Sequence, residues 1–163
     1  MTNMKILPKD FIKRTLIDEM KDIVARHPYL SFSLISSGIE FLGKCMLTEY
    51  KQWELPREEI YRAYEKGIEI ISDVDNRYAE IKNFKNELRN SLIHSFLPGA
   101  KISLSEVKAG DNHFSKDDKG KTILVAEIFY RDFVLACKKV LARDFDADDK
   151  MEKYFLHIYD NKR

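Results

Sequence analysis

The sequence predicts an all-α protein, an antiparallel helical bundle with one β-hairpin inserted in its C-terminal half. Two observations predict this fold class. Apolar residues recur at helical spacing before residue 98 and again after residue 128, whereas 101–128 alternates like a β region. With 163 residues and ordinary apolar and charged fractions of 44% and 34%, the chain is expected to form one domain, 1–163.

The first two helices are predicted from apolar periodicity and one proline. Lys9–Arg26 carries apolar residues on one helical face, namely Phe11, Ile12, Leu16, Ile17, Met20, Ile23 and Val24. Pro28 follows and suits the first position of the next helix. From Tyr29 to Tyr50 the pattern is apolar nearly all round, with Gly38 and Gly43 allowing close approach of a neighbour. This segment is therefore expected to be the central helix.

Two more helices are expected before the β region. The segment LPREE (55–59) opens the third with a proline and acids in its first turn, and the helix continues to about Asp73. The fourth is expected over about 75–97, where Pro98-Gly99 ends it. A helical wheel predicts that its core stripe consists of Ile81, Phe84, Leu88, Leu92 and Phe96.

The hairpin is predicted from two strand-like stretches that flank a polar loop. Lys101–Val107 (KISLSEV) alternates, and Gly120–Ile128 (GKTILVAEI) is rich in β-branched residues. The intervening 109–120 lacks apolar anchors and is expected to be mobile. Helical spacing returns over Phe129–Phe145, and Asp146–Tyr159 is expected to add a last helix.

Composition narrows the function classes. A formal net charge of +1 argues against a strongly basic nucleic-acid-binding surface, so any RNA contact must be local. Cys45 and Cys137 are expected to be reduced core residues, and no zinc, calcium or phosphate-loop pattern predicts a metal or cofactor. The most apolar run, Tyr29–Leu47, is interrupted by Glu40 and Lys44, and no leader opens the chain. We therefore expect a cytoplasmic protein without a membrane partner.

The end of the fourth helix concentrates side chains able to bind phosphate and move protons. On the wheel, Asn90 and His94 lie opposite the core stripe and are i, i+4 neighbours that can touch. Arg89 lies on a flank, roughly 140° from His94. Arg89 and His94 can therefore meet one ligand only through the length of arginine or across a dimer.

Ile93 and Leu97 share the far face with His94, and two interpretations of this face remain open. It is either a solvated surface with incidental apolar residues or a face covered by a second subunit. The second interpretation predicts a homodimer whose two-fold axis lies near the C-terminal half of the fourth helix.

The other candidate residues favour structural roles. Glu40 is expected to be paired or partly exposed, because buried acids usually have partners. His27 occupies a helix end, His113 is expected to be a solvated loop residue, and His157 has no partner at metal-ligand spacing.

The segment RNSLIH (89–94) resembles the signature of the HEPN superfamily, an arginine and a polar residue followed by a histidine after four to six intervening positions. That family is all-helical and usually dimeric. Many members are metal-independent endoribonucleases of toxin–antitoxin, phage-defence and RNA-processing systems. The resemblance implies that Arg89 and His94 are catalytic, that Asn90 supports them, and that RNA, a second copy and an antitoxin protein are partners.

The residue types suit this chemistry. Metal-independent RNA cleavage drives the 2′-hydroxyl onto the adjacent phosphorus, and negative charge builds on the phosphate oxygens. Histidine can transfer the proton, and arginine presents a planar, permanently charged fork to phosphate. The alternative is a non-catalytic HEPN-like dimeric module that binds a nucleotide, RNA or protein through the same face.

Overall fold

The computed structural model describes residues 7–47 and 57–143 and is mainly helical over them. The helices are α1 (three contiguous segments, Pro8–Phe11, Ile12–Glu19 and Met20–Arg26), α2 (Pro28–Met46), α3 (Arg57–Ser72), α4 (Arg77–Glu80), α5 (Lys85–Asn90 continued by Ser91–Ser95) and α6 (Ala126–Leu141). Two short strands are β1 (Ile102–Ser105) and β2 (Thr122–Val125). The predicted last helix, 146–159, lies outside the described residues. Within the described ranges, no helix combines the length and the apolar character needed to cross a bilayer.

Helix α1 follows the predicted amphipathic pattern. The residues that it buries lie on one side: Pro8, Ile12, Leu16, Met20 and Val24. Its middle segment, Ile12–Glu19, is π-helical, which widens the turn without ending the helix. The phenol of Tyr130 in α6 donates to the carbonyl of Ile17 and fastens α1 against α6.

Helix α2 forms the centre of the fold and packs on α3, α6 and α1. A Cβ added at Gly43 would collide with the Ala63 carbonyl, and one added at Gly67 would collide with the Ile39 carbonyl. Both glycines are therefore required for the close packing of α2 on α3. The pairing of an early residue of one helix with a late residue of the other shows that α2 and α3 are antiparallel.

Helices α2 and α6 instead run in the same direction. Phe32 stacks on Phe129 with ring centroids 6.0 Å apart, and the backbone of Gly38 packs against the ring of Phe133. Later residues of α2 thus meet later residues of α6. The mainly α class is as predicted, but the arrangement is not antiparallel throughout.

The fourth predicted helix, 75–97, is interrupted rather than continuous. Helix α4 ends at Ile81, whose ψ of 95° is extended, and Asn83 adopts a left-handed φ of 59°. The Asn83 carbonyl then accepts the backbone N–H groups of Asn86 and Glu87 and begins α5. Asparagine tolerates the left-handed region better than most residues, which explains why the break occurs here.

The predicted core stripe of this segment is correct in its centre and wrong at its end. Its buried members are Phe84, Leu88 and Leu92. Phe96 is 71% exposed, because it adopts a left-handed φ of 56° that ends α5 at Ser95 and turns the chain out of the helical pattern. Ile81 is half-buried in the break between α4 and α5.

The predicted antiparallel hairpin between 101–107 and 120–128 is wrong. Strands β1 and β2 are parallel, with Ile102 opposite Thr122. The second stretch also switches from strand to helix at Ala126, so only its first half belongs to the sheet.

The physical reason is that β2 has another antiparallel partner closer in sequence. The N–H of Phe114 donates to the Ile123 carbonyl at 2.7 Å, and the N–H of Ile123 donates to the Ser115 carbonyl at 2.9 Å. A tight turn closes this pairing, in which the Asp117 carboxylate accepts the backbone N–H of Lys121 at 2.8 Å. β2 therefore forms its hairpin with the residues just before it and pairs β1 along its other edge.

The loop 109–120 is anchored at points that the sequence pattern did not indicate. The Phe114 ring lies 4.8 Å from the Tyr78 ring and packs against the core. The hydroxyl of Ser105 donates to the Asp111 carboxylate. The premise of the predicted mobility, a loop without apolar anchors, is therefore wrong.

Candidate active site

Arg89 is held against the central helix by an ion pair. Its Nε lies 3.0 Å from Oε2 of Glu40 in α2, and Glu40 is only 6% exposed. Lys44 Nζ lies 3.3 Å from the other oxygen of the same carboxylate. Glu40 is thus paired, as predicted. Arg89 Nε and Glu40 Oε2 are both fully buried, and their contact is an ion pair without an aligned hydrogen bond.

Asn90 is joined to Arg89 but not to His94. A terminal nitrogen of Arg89 donates to Asn90 Oδ1 at 3.2 Å, and Asn90 Nδ2 donates to Asn86 Oδ1 at 2.7 Å. The Asn90 amide therefore uses its oxygen on the arginine and its nitrogen on the preceding turn. Asn90 and His94 are i, i+4 neighbours, but no hydrogen bond joins them among the described residues.

His94 lies in the last turn of α5 and is exposed. Within residues 7–47 and 57–143, no side chain hydrogen-bonds to its imidazole. The fold thus joins Arg89 to Asn90 by a hydrogen bond, and no described hydrogen bond joins His94 to either of them. A ligand or a second subunit can reach the imidazole directly from solvent.

An apolar surface surrounds the end of α5. A groove of about 350 Å³ lies between the start of α2 and the end of α5, lined by Tyr29, Leu30, Ser33, Leu34, Leu92, Ile93 and Phe96. The Tyr29 hydroxyl donates to the Phe96 carbonyl and ties the two elements together. Leu97, just beyond the helix, is 64% exposed. So many apolar side chains in one exposed area are typical of a surface that another molecule covers.

Sequence reasoning missed a buried polar cluster that joins three distant segments. The Tyr78 hydroxyl donates to Asp132 Oδ2 at 3.0 Å and lies 3.1 Å from His113 Nε2. His113 Nδ1 accepts the backbone N–H of Val125 at 2.9 Å, so Nε2 carries the proton and donates to Tyr78. Arg131 donates to the second Asp132 oxygen at 2.9 Å. The predicted solvated loop histidine is in fact a half-buried residue with both nitrogens bonded.

The surroundings of this cluster oppose protonation of the imidazole. Burial lowers the pKa of His113 to about 4, although the Asp132 carboxylate acts in the opposite direction. Burial, together with the same carboxylate, raises the pKa of the Tyr78 phenol. The sequence offered one signal, Asp132 between Phe129 and Phe133 on the core side of a helix, where an acid requires partners.

The thiols and carboxylates of the described residues do not assemble a metal site. No group of three or more histidine, cysteine, aspartate or glutamate side chains has suitable geometry within this part of the chain. Cys45 and Cys137 are buried free cysteines, as predicted, and burial raises the pKa of the Cys137 thiol.

No protein-family model matches this chain, and neither the curated proteins nor the solved structures contain a match. The resemblance of the segment 89–94 to the HEPN signature therefore stays a prediction.

Proposed function

We propose that this chain is a metal-independent endoribonuclease of HEPN type, in which Arg89 stabilises phosphate charge, His94 transfers a proton and Asn90 supports Arg89. The observation that carries the proposal is the arrangement at α5. Arg89 is hydrogen-bonded to Asn90 and paired with Glu40, and the exposed His94 follows one turn later beside an apolar surface.

The Glu40 ion pair supports a role for Arg89 in binding phosphate. It restricts the guanidinium to one orientation before any ligand arrives, which reduces the entropy lost on binding. A guanidinium has five N–H donors, so the contacts with Glu40 and Asn90 leave donors for phosphate oxygens. The Arg89 side chain is 26% exposed, so part of it is open to solvent.

A homodimer would complete the site, because one copy does not join His94 to Arg89. A second copy seated on the groove would cover the exposed side chains of Ile93, Phe96 and Leu97 and bring two α5 helices together about a two-fold axis. We expect Ile93→Glu to sediment as a monomer, because a carboxylate would be buried in the interface. Leu135→Glu, at a 43% exposed residue of α6, is the matched control and should leave the dimer intact. A wild-type chain that sediments as a monomer at micromolar concentration would contradict the dimer.

The resemblance extends the proposal to a biological setting. As a cytoplasmic toxin or phage-defence ribonuclease, the protein would be held inactive by an antitoxin protein until released. Covering the exposed His94 or the apolar surface beside it would suffice for such inhibition.

The test is RNA cleavage in the presence of a chelator. Purified protein in EDTA should cut tRNA or messenger RNA and leave a 2′,3′-cyclic phosphate, because the substrate's own 2′-hydroxyl is the attacking group. His94→Ala and Arg89→Ala should each lose on the order of 10²-fold or more in rate, and Asn90→Ala should lose less. The exposed residues His27 and Arg14 supply matched controls as alanine variants. A requirement for magnesium, or full cleavage by His94→Ala, would reject the mechanism.

The same ion pair favours a second candidate function. Because Arg89 is already engaged by Glu40 and Asn90, it can serve as a structural tie in a non-catalytic dimeric module that binds a nucleotide, RNA or protein. A folded dimer that binds RNA but cuts none would favour this function over the ribonuclease.

A further inference from the structure

A groove lined by lysines opens at the start of α5, at the end of that helix away from His94. Its volume is about 490 Å³, and its lysines are Lys82, Lys101, Lys116, Lys119 and Lys121. They come from three separate segments: the turn after α4, the residue before β1 and the turn before β2. Among the described residues that line the groove, Glu80 carries the one carboxylate. Folding therefore concentrates positive charge that the overall net charge of +1 conceals.

The ammonium groups of these lysines remain available to a ligand. No salt bridge joins any of the five to a carboxylate within residues 7–47 and 57–143, although Lys116 Nζ donates to the Thr122 hydroxyl at 2.7 Å. In the turn, the Asp117 carboxylate accepts the Ser103 hydroxyl and the backbone N–H groups of Lys119 and Lys121. These hydrogen bonds, that of Ser103 first, lower the pKa of Asp117, and the charge of Lys121 acts in the same direction, so Asp117 offsets part of the Lys121 charge while its hydrogen bonds go to Ser103 and its own turn.

A second pocket of about 390 Å³ adjoins the groove, and Ile81 lines both. Tyr61 lines it, 49% exposed, with the Lys85 ammonium 3.8 Å from its ring centroid. Asn83 and Asn86 contribute two amides to the same pocket. RNA-binding proteins commonly stack a nucleobase on an exposed aromatic ring and hydrogen-bond its edge through neighbouring polar groups such as amides.

The charges that line the two cavities favour phosphate in the lysine groove and a base in the second pocket. The second pocket also carries the carboxylates of Glu65 and Glu69, which disfavour phosphate but not a neutral base, although Glu69 is paired with Lys66 at 2.6 Å. The lysine groove has no exposed large apolar side chain among its lining residues, so it lacks the apolar contact that a membrane surface requires. A ligand with alternating phosphates and bases matches the two cavities together.

We propose that single-stranded RNA binds across this surface, with its phosphates in the lysine groove and a base against Tyr61. The inference rests on the proposed function in taking RNA as the ligand. Glu87 links the groove to the candidate active site, since its Oε2 accepts the Lys101 N–H at 2.8 Å and its carbonyl accepts the Gly99 N–H at 2.7 Å. His94 lies seven residues further along α5, a rise of about 10 Å that a short RNA strand can span.

The experiment measures binding of a 5′-fluorescein single-stranded RNA by fluorescence anisotropy, with all variants made in a His94→Ala chain so that cleavage does not intervene. Lys101→Ala/Lys119→Ala should weaken binding at least 10-fold at low salt. It should also reduce the slope of log affinity against log salt by about 1.4, because two phosphate contacts are lost. The matched control Lys13→Ala/Lys138→Ala removes the same charge from exposed positions outside the groove and should bind like the parent.

The aromatic part of the surface is tested separately. Tyr61→Ala should weaken RNA binding about 5-fold or more, whereas Tyr61→Phe should bind like the parent because it keeps the stacking ring. Equal binding by the groove variant and the lysine control, or no RNA binding by the parent, would overturn the proposal. Inorganic triphosphate that competes as well as RNA at equal phosphate concentration would also overturn it, because the groove would then be a small-anion site.

The ribonuclease proposal and the RNA-groove proposal can each be rejected without the other. RNA binding that depends on Lys101 and Lys119, in a wild-type chain that cuts no RNA, would support the groove and reject the ribonuclease. Cleavage that depends on His94 but is unaffected by the lysine variants would reject the groove and support the ribonuclease.

Discussion

His113 and His94 occupy opposite kinds of surroundings, and the contrast separates a structural histidine from a chemically available one. His113 is half-buried, donates to the Tyr78 hydroxyl and accepts the Val125 N–H, so both ring nitrogens are in use. His94 is exposed at the end of α5, and no described side chain hydrogen-bonds to it. General acid–base catalysis requires a ring nitrogen that can reach the substrate, which His94 offers and His113 does not.

A similar contrast separates the polar cluster of His113 from the Arg89–Glu40 pair of the candidate site. The carboxylate of Asp132 is 3% exposed and has both oxygens hydrogen-bonded, by Tyr78 and Arg131. In the candidate site, the Arg89–Glu40 pair is buried at one end and open to solvent at the other. The first cluster is arranged to stabilise the loop against the bundle, and the second leaves donors for a ligand.

The largest expected effect on stability comes from Tyr78→Phe. Removing the hydroxyl leaves Asp132 Oδ2 and His113 Nε2 buried without this partner, which should cost about 2–4 kcal/mol of unfolding free energy in a urea titration. Tyr130→Phe, which removes a hydroxyl with one described partner, should cost about 1 kcal/mol. His94→Ala should change stability by less than about 0.5 kcal/mol, since the side chain is exposed. A loss in His94→Ala as large as in Tyr78→Phe would remove the contrast.

A smaller effect is expected from Arg89→Ala. The change leaves the buried Glu40 with Lys44 as its cation among the described residues and should cost about 1–3 kcal/mol, less than a fully buried pair because Arg89 is 26% exposed. Glu40→Gln in the Arg89→Ala background should recover part of this loss, because no carboxylate then remains to be neutralised. Additive losses in a urea double-mutant cycle would show that the two side chains do not interact.

The smallest expected effect is the contribution of His113 to the pH dependence of stability. Its pKa falls from 6.5 to about 4 on folding, so the unfolded chain binds more protons between these values. This part of the stability is complete above about pH 6.5 and is lost as the pH falls towards 4, by on the order of 1–2 kcal/mol after allowance for partial exposure. His113→Gln should show a shallower decline over this window. An unchanged decline would mean that His113 is protonated as readily in the folded chain.

Apolar periodicity and turn residues predicted the helices well. Both signals depend on residues close together in sequence, either within one helical turn or at a proline that flanks the helix. Helices α1, α2, α3 and α6 overlap the segments that apolar spacing indicated, although α6 begins at Ala126, inside the predicted strand; Gly43 permits the close packing inferred for α2. The wheel for the fourth helix failed at its ends, because it assumed one continuous helix. The left-handed residues Asn83 and Phe96 divide and end that helix.

The remaining errors involve contacts between residues far apart in sequence. The direction of the β1–β2 pairing depends on the hairpin that β2 forms with Phe114 and Ser115, and the position of that hairpin depends on the packing of Phe114 against Tyr78. Glu40, the partner of Arg89, lies in another helix. The helical wheel therefore predicted on which side of its helix Arg89 lies, but not the residue that it contacts there. Alternation and charge patterns within one segment contain no information about such partners.

The central claim is that Arg89 and His94 form an active site across a dimer, and complementation tests it most directly. Arg89→Gln and His94→Ala chains would carry different affinity tags and be co-expressed, so that mixed dimers can be purified through both tags. If each site takes Arg89 from one copy and His94 from the other, a mixed dimer has one intact site. Such dimers should then cleave RNA in EDTA at about half the wild-type rate, whereas each parent variant is nearly inactive. Mixed dimers no more active than the parents would contradict the shared site, and so would the absence of a dimer to purify.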